Sequence, residues 1–377
     1  MSIPFIDLKA QYVRLKPEID AGIERVLEHG RFILGPEVAE FEVALAAHVG
    51  VAHVVSCANG TDALTLALMG ENIGPGDAVF VPGFTFTATA ETVLMVGAEP
   101  VFVDVDSEKF LIDGTDLERK IAAVKASGSL VPRAVIPVDL FGLPADYEVL
   151  GQIAATHDLF LLADAAQSMG AQFRGRAVGA LAPATVSSFF PSKPLGCYGD
   201  GGALLTDDAA RAALWRSLRG HGTGDAKYDV VRVGMNSRLD TIQAAVLLAK
   251  LPGFTAEIEA RERVAKFYDQ HLPEAVTRPG RMPGSDSAWA QYTIQVADRS
   301  ALAAALKEDG IPTAIYYPLP MHLQTAYQRY GDGVGSLPVS ENLAKHVLSL
   351  PVHPDMEEAT CGRICQAIQS HFKSNDG

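Results

Sequence analysis

The sequence predicts a doubly wound α/β unit followed by a smaller α+β unit. Three observations carry this. From about residue 50 to 206, short β-branched runs alternate with stretches of helical spacing, the signature of βαβ units and a mostly parallel sheet. The runs are apolar along nearly their whole length, which requires both faces of the sheet to be covered. A Pro-Gly pair at 252–253 then breaks the pattern, and a different succession of helices and strands follows. The expected division is 1–253, including an N-terminal helical segment, and 254–377.

The expected strands of the first unit are HVVSC (53–57), AVFVP (78–82), PVFVDVD (100–106), RAVIPVDL (133–140), DLFLLAD (158–164), ATVSSFF (184–190) and ALLT (203–206). GPGD at 74–77 is a turn, and TFTATAETVLMVG (85–97) gives Ala90, Val93, Leu94 and Gly97 helical spacing. In SRLDTIQAAVLLAKL (237–251), Leu239, Ile242, Ala245, Val246 and Ala249 make one apolar stripe. The second unit reads as a long amphipathic helix (257–272), a strand WAQYTIQV (289–296), a helix SALAAALKEDG (300–310), a strand TAIYY (313–317) and a last helix near 358–372.

With 377 residues, 48% of them hydrophobic and 20% charged, the chain can bury a sizeable core. Its net charge of −14 argues against nucleic acid as a partner, because phosphate backbones are bound by clustered Lys and Arg. A small anionic ligand held locally is still allowed. The N-terminus MSIPFIDLKAQY has no basic stretch leading into an apolar one, and no apolar run is long enough to cross a bilayer. No membrane association and a cytoplasmic location are therefore expected. The four cysteines, Cys57, Cys197, Cys361 and Cys365, form no CxxC pair and read as reduced structural thiols. The ten histidines form no HExxH cluster, so a metal-free site is expected.

Open α/β sheets bind ligands beyond the carboxyl ends of their strands, so the residues just after each strand carry the most weight. HVVSC is followed by ANGTDALTLAL, where Thr61 opens a helix whose N–H groups suit an anion such as phosphate; an ordinary helix cap accounts for the same residues. AVFVP is followed by Gly83-Phe84-Thr85-Phe86, which sets aromatic rings beside the crevice, either as core or as a face for a ring-shaped ligand. DLFLLAD ends in Asp164, a carboxylate costly to bury without a cation. A structural partner or a protonated ring nitrogen would serve, and Gln167 could reach a neighbouring oxygen of the same ring.

SSFFPSKPLGCYGDGG (187–202) sets Lys193 between Pro191 and Pro194, five residues after Ser188. Glycines 199, 201 and 202 let the chain pass close to whatever the lysine touches. A Schiff-base lysine must be held and partly desolvated so that its amine is neutral and nucleophilic, and this collar supplies the restraint. A phosphate cradle, an aromatic face, a carboxylate for a pyridinium nitrogen and a lysine for an aldehyde are together the needs of one cofactor, pyridoxal 5'-phosphate.

As a set, NGTDAL, the P-x-x-T-F-x-A-T segment, DAAQS, SFFPSKPLG with GDGG, and MNSRLD resemble the fold-type I aminotransferases that act on nucleotide-linked keto-sugars. The similarity runs from FIDLKAQY to LPVHP. It implies a fold-type I pyridoxal phosphate-binding architecture and a role for each matching position. Lys193 would bind the cofactor's aldehyde and later shuttle the proton; Asp164 would pair with the pyridine nitrogen; Gln167 would contact the 3-hydroxyl oxygen. Phe86 matches the ring-stacking position, and Gly60, Thr61 and Ser188 match the phosphate cradle. Asn236 matches a residue that reaches the phosphate from the partner subunit, which implies a homodimer with shared active sites. Some distant members carry histidine in place of the lysine and are dehydratases, a reading that Lys193 opposes.

The lysine loop resembles that of members aminating C3 of the sugar more than the TTGEGG-type loop of C4-aminating members. Within the C3 group the likeness is greatest to enzymes that aminate UDP-2-acetamido-3-oxo-glucuronic acid with L-glutamate for bacterial surface polysaccharide. Arg238 is the candidate for an anionic group on substrate or donor, since a guanidinium can hold a carboxylate through two bonds; a structural salt bridge is the plainer role. Tyr316 and Tyr317 lie where relatives face the sugar, or they pack between the two units. Three other outcomes stay open: amination of another dTDP- or UDP-keto-hexose at C3 or C4, a non-catalytic regulatory protein on the same fold, and a different amino-acid chemistry such as a lyase.

Overall fold

The computed structural model describes residues 3–226 and 228–375. Three helices, α1 (Leu8–Arg14), α2 (Lys16–His29) and α3 (Pro36–Val49), precede the sheet. Asp7 caps α1 by accepting from the Ala10 N–H at 2.8 Å, and prolines stand in the first turns of α2 and α3, where no N–H is needed. Strands and helices then alternate: β1 (His53–Cys57), α4 (Gly60–Gly70), β2 (Asp77–Pro82), α5 (Ala88–Met95), β3 (Glu99–Val103), α6 (Gly114–Ser127), β4 (Val131–Val135), α7 (Tyr147–His157) and β5 (Phe160–Asp164). A two-residue hairpin, β6 (Gln172–Phe173) and β7 (Arg176–Ala177), leads to β8 (Ala184–Ser188) and β9 (Gly202–Thr206).

The seven-stranded sheet has the order β1-β9-β8-β5-β4-β2-β3. Pairings from β8 through β5, β4 and β2 to β3 are parallel, whereas β9 runs antiparallel to both β8 and β1. The fold class is thus the mostly parallel α/β sheet read from the sequence. The reversal at β9 matters for the site. Ser188 pairs with Gly202 across the β8–β9 ladder, so the loop that carries Lys193 leaves and re-enters the sheet at one point.

Alternation along each strand divides the core into two layers. Val79 and Val81 join Leu162, Val186 and Leu204 on the face covered by Leu64, Leu68 and Trp215. Phe80, between them in sequence, joins Val135 and Leu161 on the face covered by Leu117, Ile121 and Leu150. The near-continuous apolar runs of the sequence follow from this two-sided burial.

After β9 come α8 (Ala209–Leu218) and α9 (Thr241–Lys250). The Pro-Gly pair marks a single 3-10 turn, Leu251–Gly253, from which α10 (Phe254–His271) starts at once. Phe254 and Ile258 at the start of α10 pack into the first core, while Val264, Ala265 and Tyr268 belong to the C-terminal one. After the short β10 (Ser285–Asp286), which pairs with β6, that second core gathers around the antiparallel pair β11 (Tyr292–Gln295) and β12 (Val347–Leu350), with α11 (Arg299–Glu308) and α13 (Glu358–Asn375); Ile3 joins it from the N-terminus. Between them, α12 (Pro338–His346) turns Leu343 and Ala344 onto Phe84 of the first unit.

One expected strand is absent. In TAIYY only Ala314 makes a bridge, to Ser349. Pro312 and Pro318 enclose the run, so the ladder finds no N–H donor at the position on either side of it, and Tyr316 and Tyr317 turn instead toward the cavity described below. All four cysteines are buried free thiols, outside any disulfide. Among the described residues no helix is long and apolar enough to cross a membrane.

Candidate active site

A cavity of about 640 Å³ opens at the carboxyl ends of β1, β5 and β8. Gly60, Thr61, Phe86, Asp164, Gln167, Ser188, Lys193, Tyr316 and Tyr317 all border it. Residues spread over about 260 positions of sequence therefore converge, those from Gly60 to Lys193 because strand ends converge, and Tyr316 and Tyr317 from the irregular run between Pro312 and Pro318. Asn236 and Arg238 do not border it.

One wall is the start of α4. Asn59 caps the helix, its side-chain oxygen accepting from the Asp62 N–H at 2.7 Å. The first N–H groups of a helix have no intrahelical acceptor, so those of Gly60 and Thr61 are available to an anion. Glycine is required here by contact: a Cβ on Gly60 would lie 2.8 Å from the Ser188 Cβ. A Cβ on Gly202 would lie 2.4 Å from the Asn59 carbonyl carbon, so β9 can pass the helix start only as glycine. Ser188 itself accepts from the Phe190 N–H at 3.3 Å.

Asp164, 5% exposed, forms the floor at the end of β5. Its Oδ2 accepts from the Thr89 hydroxyl at 3.0 Å and its Oδ1 from the Ala166 N–H at 3.2 Å. Burial pushes its carboxyl up from the ordinary range, against these two donors and the nearby Lys193. Beneath it lies Asp139, fully buried, whose N–H donates to the Asp164 carbonyl at 3.0 Å. Asp139 accepts from Ser168 Oγ at 2.6 Å, Tyr147 OH at 2.7 Å and the Ala145 N–H at 2.8 Å. Burial, reinforced by Asp164, still pushes its carboxyl up to about 7. Gln167 is fixed at both ends, accepting from the Phe141 N–H at 2.7 Å and donating to Tyr317 OH at 3.4 Å.

Lys193 is partly buried, and desolvation lowers its pKa while Asp164 opposes the drop. That is the condition for a neutral, nucleophilic amine. The two phenylalanines after β2 separate cleanly. Phe84 is core at 0% exposure, whereas Phe86 is 53% exposed with its ring at the cavity, 6.3 Å from that of Tyr317. Composition and spacing left this choice open, the family resemblance pointed to Phe86, and both missed Thr89 and Asp139. Thr89 lies within the quoted T-F-x-A-T segment, but its bond to Asp164 spans 75 positions and has no local signal.

Asn236 is exposed and its backbone bridges Gly220. Arg238 is half-buried, and its Nε has no partner among the described residues. Between them, Ser237 Oγ accepts from the Ala58 N–H at 3.2 Å, which ties this segment to the turn before α4.

Residues 13–369 match the DegT/DnrJ/EryC1/StrS aminotransferase family. The chain belongs to this family. It is 46% identical over 369 residues to the UDP-2-acetamido-2-deoxy-3-oxo-D-glucuronate aminotransferase of Pseudomonas aeruginosa, covering 97% of this chain and 99% of that one. It is 43% identical to the UDP-N-acetyl-3-dehydro-alpha-D-glucosamine 3-aminotransferase of Acidithiobacillus ferrooxidans, covering 98% and 97%. A solved aminotransferase of the family from Brucella abortus matches with a TM-score of 0.96 at 52% identity, covering 98% and 99%. A more distant solved relative from Bacillus subtilis, 28% identical with a TM-score of 0.89 over 99% of this chain and 85% of that one, holds pyridoxamine phosphate as its cofactor. The protein is a sugar aminotransferase dependent on pyridoxal phosphate.

The cavity fits that cofactor on its own terms. A buried carboxylate to which no cation is bonded among the described residues suits a protonated ring nitrogen, an exposed aromatic face suits the ring, and a helix start with close-packed glycines suits a phosphate.

Proposed function

We propose that this enzyme transfers the amino group of L-glutamate to C3 of UDP-2-acetamido-2-deoxy-3-oxo-glucuronic acid, for surface polysaccharide synthesis in the cytoplasm. The full-length 46% identity to the Pseudomonas aeruginosa enzyme named for that sugar carries the reading. When bound, pyridoxal phosphate supplies an aldehyde for the amino group and a ring that accepts the electron pair freed at the donor's Cα. Lys193 Nζ would hold the aldehyde and would carry the proton taken from the donor's Cα. Asp164 would keep the ring nitrogen protonated, and Thr89 and the Ala166 N–H favour the ionised form of Asp164 against its burial. Gln167 would orient the 3-hydroxyl oxygen and Phe86 would cover the ring against water. Gly60, Thr61 and Ser188 would cradle the phosphate, while Tyr316 and Tyr317 would flank the sugar.

Both the uronate and glutamate carry carboxylates, yet among the described residues bordering the cavity Lys193 is the one cation. A second cation must come from elsewhere. Arg238 is free at Nε among the described residues, does not border its own cavity, and lies with Asn236 just after the exposed Val230, Val231 and Val233. These features support a homodimer in which Asn236 and Arg238 serve the partner's cavity. The large cofactor-binding unit is taken as 1–253 and the small unit as 254–377.

The test is to offer the pyridoxamine phosphate form a panel of keto-sugars and follow the return of the pyridoxal form. Return is expected to be fastest with the 3-keto-uronate, slower with the uncharged UDP-3-keto sugar and slowest with dTDP-4-keto-hexoses. Preference for a dTDP sugar would overturn the substrate assignment.

A further inference from the structure

Lys250 is a lysine the chemistry above does not use, yet it is 2% exposed. Its Nζ donates to the Gly196 carbonyl at 2.6 Å and lies 4.2 Å from the centroid of the Tyr198 ring. Among the described residues no carboxylate forms an ion pair with it. A buried ammonium is costly, and a methionine would fill the same space, so packing alone does not account for it. What the ammonium holds is the loop of Lys193.

The loop from Ser188 to Gly202 is tied to itself at its base. Phe189 N–H donates to the Gly201 carbonyl at 2.7 Å, Cys197 N–H to Phe189 at 2.8 Å and Lys193 N–H to Phe190 at 2.8 Å. Its body is drawn tight: a Cβ on Gly196 would lie 2.5 Å from the Pro191 carbonyl oxygen. These bonds set its shape, whereas its far side is gripped from α9. Gln243 accepts from the Tyr198 N–H at 2.8 Å, and Lys250 takes the Gly196 carbonyl. Residues seven apart fall on one helix face, so the two grips act side by side. The same helix begins at Thr241, just after Asn236 and Arg238.

We propose that Lys250 is a positioning residue, which through the Gly196 carbonyl and the Tyr198 ring fixes the Lys193 loop against α9 and so aims the reactive amine. This rests on Lys193 being the nucleophile, as argued above. Burial moves the Lys250 ammonium down to about 8, with Arg14 adding to the drop and Glu257 and Cys197 opposing it.

The test compares wild type with Lys250→Met, which keeps the packing, and Lys250→Arg, which keeps a charged donor. In the cofactor-free protein, amide hydrogen exchange across 193–199 is expected to quicken at least about tenfold in Lys250→Met while the central strands keep their protection. In the loaded enzyme kcat is expected to fall about 10- to 100-fold with KM for glutamate within about twofold, and Lys250→Arg to recover much of both readouts. Unchanged loop exchange, or acceleration spread evenly over the whole molecule, overturns the proposal. Lys250→Gln, too short to reach Gly196, gives the same comparison if the methionine variant does not fold. Release of 2-oxoglutarate by wild type is read separately: its failure strikes the functional assignment, while the loop exchange still decides Lys250.

Discussion

The hydroxyl of Thr89, on the first turn of α5, donates to the carboxylate of Asp164 at the end of β5 at 3.0 Å. A bond to a charged group is worth about 1.5–3 kcal/mol, so Thr89→Val should weaken the ionised form of Asp164 and lower kcat about tenfold or more. Thr89→Ser, which keeps the hydroxyl, should retain activity. Steady-state kinetics of the two variants check this.

Asp164→Asn is expected to reduce turnover far more than cofactor affinity. A neutral amide no longer favours the protonated ring nitrogen, while the proposed phosphate cradle at Gly60, Thr61 and Ser188 is untouched. Cofactor titration by absorbance, set beside kcat, separates the two effects. Equal losses in both would reduce Asp164 to an anchor.

Asp139 gives a pH signature of the fold. Its carboxyl is raised from 3.8 to about 7 in the folded chain. Between those values the folded state holds a proton that the unfolded state has lost, so this group's contribution to stability is full below about pH 4 and disappears as pH rises through about 7. Asp139→Asn should flatten that part of the dependence. The check is Tm of the cofactor-free variant and wild type from pH 4.5 to 8, a range of about three to four units around the shift.

Mixing inactive Lys193→Ala chains with inactive Asn236→Ala chains should restore activity. In a two-fold dimer with shared sites, one site of each mixed dimer is intact and the other doubly damaged. With free exchange about half of the dimers are mixed, so recovery reaches at most about a quarter of wild-type activity per site. No recovery, with exchange shown independently and Asn236→Ala inactive alone, contradicts the shared site.

Much of this site is legible in the sequence because its residues follow strands. Asp164 ends an apolar run, Gly60 and Thr61 open a helix after another, and Lys193 sits in a collar of prolines and glycines. What is not legible is set by distant partners. Phe84 and Phe86 follow the same strand, and only the packing of Phe84 against Phe110 and Leu343 makes one core and leaves the other to the cavity. Asp139 reads as the end of an expected strand; its burial depends on Ser168 and Tyr147, and no spacing announces them. TAIYY has strand composition, but two prolines and the cavity decide its path.

The central claim is that Lys193 performs the transfer. The direct measurement is a single turnover: cofactor-loaded wild type and Lys193→Ala are each mixed with excess L-glutamate, without sugar, and 2-oxoglutarate is quantified per site. Wild type is predicted to release a single equivalent and convert its cofactor to the pyridoxamine form, and Lys193→Ala to bind glutamate and release essentially none. Release of 2-oxoglutarate by Lys193→Ala at a rate near wild type would contradict the account.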